Sequence, residues 1–118
     1  MAITSPLSIV IAGVTHSLKR VNQDNNGSTF LKVASGLEIQ LTIRHSYEGK
    51  KSDGSQMVRH NVELSYTTYD VNGKPDTTLS YFVSRSRRGA DPAVATAVLD
   101  ALGAFADAQS ASVVDWEN

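Results

Sequence analysis

The clearest periodicity in the chain lies between Leu37 and Arg44, where Leu37, Ile39, Leu41 and Ile43 alternate with Glu38, Gln40, Thr42 and Arg44. Successive side chains of a strand point to opposite faces, so the pattern predicts a half-buried strand with one wet face. A polar loop at 48–55, with two glycines, two lysines and Asp53, interrupts it. The alternation then resumes, with Val58, Val62, Leu64 and Tyr66 against Arg59, Asn61, Glu63 and Ser65, and predicts a long strand to about Tyr69. Asn72-Gly73, closed by Pro75, marks a turn over 70–76. Residues 77–85 form a third long strand, with Leu79, Tyr81 and Val83 on one face and Ser80, Phe82 and Ser84 on the other. Alternation leaves open which of these two faces is wet.

Upstream, residues 7–12 are β-rich and bounded by Pro6 and Gly13, and with 16–21 they predict a hairpin turning near Gly13. The cluster 22–27 ends in Asn26-Gly27, a strong turn signal, and a short strand at 28–33 follows. Downstream, Asp91-Pro92 has the form of a helix start, Asp capping and Pro in the first turn. Val94, Val98, Leu102 and Phe105 recur at helical spacing to about Ala108, although Gly103 weakens the run by about 1 kcal/mol relative to Ala. Residues 110–118, with Val113, Val114 and Trp116, suggest a short second helix. The expectation is an α+β chain of one domain, 1–118: an N-terminal hairpin (1–22), an antiparallel sheet (28–86) and a helical segment (91–118).

Charge divides the chain at the same boundary. Through Arg88 there are 11 bases and 7 acids, a balance of +4, whereas from Gly89 onward there are 5 acids and no base. The division fits a basic surface that meets an anion, or an incidental split of solvated charge. Cysteine is absent, which removes disulfides, thiolate nucleophiles and Cys-type zinc sites. No apolar run approaches the roughly 20 residues of a membrane span, and no basic region precedes the apolar stretch 7–14, so neither a membrane partner nor a secretory signal is expected.

The sequence offers little for catalysis. His16, His45 and His60 lack the i, i+4 spacing of a helical metal pair, no serine lies in a Gly-x-Ser-x-Gly turn, and there is no phosphate-binding glycine loop. Glu38 and Glu63 are candidates to face one another across strands, but Arg44 and Arg59 share their face and can compensate them. No enzyme activity, metal or cofactor is expected. The polar sheet face remains, with Gln40, Thr42, Arg44, Arg59, Asn61 and Ser65. Arginines suit phosphates, amides and hydroxyls suit unpaired bases, and Tyr81 or Phe82 could stack on a base.

Order and spacing of these segments resemble the coat proteins of single-stranded RNA bacteriophages. The similarity runs over the whole chain and includes Ser28 to Val33, Ile39-Gln40-Leu41-Thr42-Ile43-Arg44 and Asn61-Val62-Glu63-Leu64. It implies a homodimer with one continuous sheet, each subunit's helices crossing its partner's sheet, and an icosahedral shell. It also implies a virion protein, assembled in the bacterial host cytoplasm, whose inner sheet face binds an RNA hairpin to repress translation and mark the genome. By strand and parity the RNA-binding positions are Gln40, Thr42, Arg44, Arg59 and Asn61, with Tyr81 as the stacking residue. Glu38 and Glu63 depart from the pattern by placing acid on that face. The acid-only segment beyond Gly89 is expected on the outer side of the shell. The alternative is a small sheet-and-helix module that binds a peptide or small ligand and forms no shell.

Overall fold

The structure, a computed structural model, describes residues 3–116. Six antiparallel strands run in sequence order: β1 (Leu7–Ile11), β2 (Val14–Asp24), β3 (Gly27–Ala34), β4 (Leu37–Tyr47), β5 (Met57–Tyr69) and β6 (Pro75–Arg87). One helix, α1 (Pro92–Val114), follows. The predicted strands are all present, and β4 and β5 span the predicted 37–47 and 57–69.

Register divides the sheet into two faces. Leu41 stands opposite Leu64 and Ile43 opposite Val62, so the odd positions of β4 share a face with the even positions of β5. Phe30 of β3 joins them, opposite Leu41. The core is a cluster of Leu18, Phe30, Ile39 and Ile43, packed by Leu7, Ile9, Ile11, Leu37, Leu41, Val62, Leu64 and Tyr66. The N-terminal hairpin therefore layers its apolar side on β3–β5. β2 serves both parts: residues 14–18 pair with β1, while residues 19–24 pair with β3. A β-bulge at Val21 marks the change of register. The extra residue turns Asn22 and Asp24 onto the polar face, a reversal of parity that the sequence did not announce.

Two turns show why small residues are needed. Ala12 and Gly13 join β1 to β2 with φ of 52° and 79°, as in the type I′ turn that matches strand twist. At the next turn the two connecting residues are Asn25 and Asn26, and Gly27 already pairs with Asp24. Gly27 is required by packing instead: a Cβ there would collide with the Ile43 carbonyl oxygen. The same turn is held down where the His45 amide donates to the Asn26 carbonyl at 2.6 Å.

The helix begins as expected, with the Ala93 amide donating to the Asp91 carboxylate at 3.0 Å and Pro92 in the first turn. It does not divide in two. Residues 110–114, expected in a separate second helix, continue α1, and 117–118 lie outside the described residues. No proline interrupts the run, and the alanines around Gly103 sustain it, so one glycine is too small a penalty to break it. The helix ends at Asp115, with Trp116 in the left-handed region at φ 69°.

α1 does not cover its own sheet. It approaches only the end of β6, around Val83 to Ser86, and has no buried residue. Val94, Val98, Leu102 and Phe105 are 63%, 66%, 51% and 57% exposed. The radius of gyration, 16.9 Å, exceeds the roughly 13.5 Å of a compact chain of this length.

Replacing Gly27 with alanine forces β3 away from β4 and is expected to cost about 2–3 kcal/mol. Thermal unfolding of Gly27→Ala followed by circular dichroism should show a midpoint lower by roughly 10 °C.

Candidate nucleic-acid interface

The face opposite the core carries the even positions of β4 and the odd positions of β5 and β6. Arg44 stands opposite Asn61, Thr42 opposite Glu63 and Gln40 opposite Ser65. On the other side of β5, Asn61 faces Val83, Glu63 faces Tyr81 and Arg59 faces Arg85. Gln40, Thr42, Arg44, Arg59, Asn61 and Tyr81 thus share one face. The open question about β6 is also answered. Leu79, Tyr81 and Val83 lie on the polar face, Tyr81 being 68% exposed, while Phe82 stands opposite Val62 on the apolar side.

Five of the six, without Tyr81, lie in an open depression of about 690 Å³. Gln40, Thr42, Arg44, Arg59, Asn61 and Glu63 line it, together with Asn22, Asp24 and Thr29 from β2 and β3. Gln40 Nε2 donates to Thr42 Oγ1 at 3.3 Å. Asn61 is half-buried beside the depression, with Oδ1 shielded and without a hydrogen-bond partner in the protein.

The acids on this face have separate surroundings. Glu38 and Glu63 do not face one another: Glu38 stands opposite Thr67 and Glu63 opposite Thr42. They sit on adjacent strands displaced along the sheet, because this register pairs positions whose numbers sum to 105 and theirs do not. Arg44 compensates Glu63 at 3.5 Å, with the arginine side chain 64% exposed. The partner of Glu38 is the Tyr69 hydroxyl, donating at 3.3 Å. Desolvation, and then the charge of Glu38, raise the Tyr69 hydroxyl above its ordinary pKa.

Arg85 and Arg87 also belong to this face but could not be assigned while the facing of β6 was open. Arg85 grips Glu48 with two bonds, Nε at 2.7 Å and a terminal nitrogen at 2.9 Å. That clamp holds the Glu48 carboxyl below its usual range, with further pull from Arg59 and Lys51. Asn22 and Asp24 were missed because the Val21 bulge sets their orientation, and Thr29 because only its pairing with Thr42 turns it to this face. Chemically, the face offers guanidinium groups for phosphate, amides and a hydroxyl for base edges, and two exposed aromatic rings, Tyr69 and Tyr81. It has no arrangement of nucleophile and base.

The family model described as "Phage phiCb5, coat protein" matches residues 4–87. The chain belongs to this phage coat protein family. No curated protein matches it. The coat protein family is structural and not enzymatic, so the protein has a structural role in a capsid and its place is the virion. The matched segment ends at the last residue of β6 and includes every residue of the polar face, whereas α1 lies beyond it.

The Glu48 clamp generates a pH prediction. A carboxyl depressed in the folded state adds stability above its unfolded pKa, near 4.5, and that contribution is lost as pH falls through the folded value. In Arg85→Gln, the Glu48 carboxyl should titrate closer to 4.5 by NMR. The variant's stability should also depend less on pH across this acidic range.

Proposed function

We propose that two copies of this coat protein interlock. Each lays α1 across its partner's sheet, and the two sheets join at their β6 edges. Such dimers build an icosahedral shell around single-stranded RNA in the cytoplasm of the bacterial host, with the polar face turned inward. The observation that carries the proposal is the exposure of the helix. A stripe of Val94, Val98, Leu102 and Phe105 finds no cover within its own chain, although burying each such side chain yields about 1.5–3 kcal/mol. At 23 residues α1 is about 35 Å long, enough to cross about seven strands spaced about 4.8 Å apart. The half-buried Val62, Leu64 and Tyr66 offer a surface of matching chemistry on a second copy.

Toward RNA, Arg44 and Arg59 contact phosphates, while Gln40, Thr42 and Asn61 read unpaired bases and Tyr81 stacks on one. A hairpin held in this way would repress translation and select the genome for packaging. Glu63 beside Arg44 and Tyr81 penalises anions placed badly on the face and so favours a defined pose.

Expression in bacteria and size exclusion with absorbance at 260 and 280 nm tests the assembly. Large nuclease-protected particles containing RNA are expected, and a clean low-mass peak overturns the proposal. Leu102→Glu should abolish dimers. Arg44→Ala and Arg59→Ala should lower packaged RNA and flatten its salt dependence while dimers persist; unchanged RNA content in both variants counts against this face.

A further inference from the structure

His45 on β4 and His60 on β5, without significance by spacing alone, are direct cross-strand partners. Their Nδ1 atoms stand 2.8 Å apart, with ring centroids at 5.0 Å and planes at 72°. One Nδ1 carries a hydrogen in this contact and the other a lone pair. The pair extends the row of Ile43 and Val62 toward the end of the sheet, on the face away from the proposed RNA groove. His45 is exposed and His60 half-buried, so both rings reach solvent without disturbing the core.

This separation is also that of neighbouring ligands on one metal ion. At a metal–nitrogen distance of about 2.0 Å, ligands at right angles lie about 2.8 Å apart and tetrahedral ligands about 3.3 Å apart. Right-angle nitrogen ligation belongs to the tetragonal geometry of copper(II) and nickel(II). We propose that His45 and His60 form a two-nitrogen site for a divalent cation of the copper or nickel class, with water in the remaining positions. On binding, the donor ring carries its proton on Nε2 instead of Nδ1, and a rotation of each ring turns both Nδ1 lone pairs toward a common point.

The surroundings allow this. The ladder of β4 and β5 fixes both backbones, and the His45 amide is anchored to the Asn26 carbonyl. Across from His60 on β6 stands Ser84, which is uncharged. Arg20 and Asp24 line a shallow depression together with His45. Arg20 is occupied over the Phe30 ring and with the Ile3 carbonyl, and Asp24 accepts from the Asn26 amide at 2.7 Å. Among the described residues no third histidine or carboxylate completes a cluster, so the site is open. His16 is no competitor: it is buried, and its Nδ1 lies 2.9 Å from Lys32 Nζ.

Copper(II) titrated into the intact, untagged protein, followed by calorimetry and electron paramagnetic resonance, tests the site. One ion per chain is expected, with coupling to two imidazole nitrogens and an affinity that falls as protons compete at lower pH. His45→Gln and His60→Gln should each weaken binding by roughly tenfold or more, while His16→Gln should not. Unaltered binding in either of the first two variants, or a spectrum without two nitrogens, overturns the proposal. Should a variant fail to fold, nickel(II) added to the parent protein decides by NMR. Selective broadening of the His45 and His60 ring signals supports the site, and uniform, absent or His16-centred broadening rejects it.

Discussion

The pairing of β4 with β5 is the constraint on which the rest depends. With Leu41 opposite Leu64 and Ile43 opposite Val62, the central apolar residues of both strands fall on one face and their candidate RNA contacts on the other. A slip of one residue would exchange the faces of an entire strand, placing Arg44 and Gln40 in the core. Burial of Ile39 and Ile43 therefore fixes the register, and the register fixes the site. The N-terminal hairpin reinforces the choice by packing Leu7, Ile9, Ile11 and Leu18 on the apolar side only.

The same division explains why the fold is incomplete as one chain. The hairpin covers only part of the apolar face, and α1 leaves the sheet at the end of β6 and turns its valines, Leu102 and Phe105 to solvent. For a protein of a coat family, such incompleteness has a physical use. In the proposed assembly, apolar surface left uncovered by the subunit supplies the driving force for association, and folding and assembly then draw on the same burial. The polar face needs no such cover, since its arginines, amides and hydroxyls are solvated until an anion or a base replaces the water.

Legibility of the sequence followed the strength of each local signal. The central parts of β4 and β5 were readable because apolar and polar residues alternate there, although β4 runs past the alternating stretch 37–44 to Tyr47. Gln40, Thr42, Arg44, Arg59 and Asn61 were chosen by parity, Tyr81 as a stacking residue on a strand of open facing, and all six lie on one face. β6 could not be oriented because both of its faces mix polar and apolar residues, so Arg85 and Arg87 went unassigned until its pairing with β5 was known. The separate second helix, suggested by Val113, Val114 and Trp116, is the last part of α1, because the polar residues after Ala108 cost too little to end a helix rich in alanine. The bulge at Val21 left no mark in the sequence, and with it were lost Asn22 and Asp24; Thr29 was lost because the facing of the short β3 rests on its pairing with β4.

By itself, then, the sequence determined the element order, the apolar and polar sides of the central strands, the capped helix start and the resemblance to phage coat proteins. These are local or periodic properties, written in the choice of residue at each position. Only the tertiary structure decided the facing of Tyr81, the displacement of Glu38 from Glu63, the meeting of His45 with His60 and the exposure of the helical stripe. Each depends on which residues far apart in the chain become neighbours. That follows from register, bulges and the direction in which a helix leaves a sheet, and no single segment encodes it.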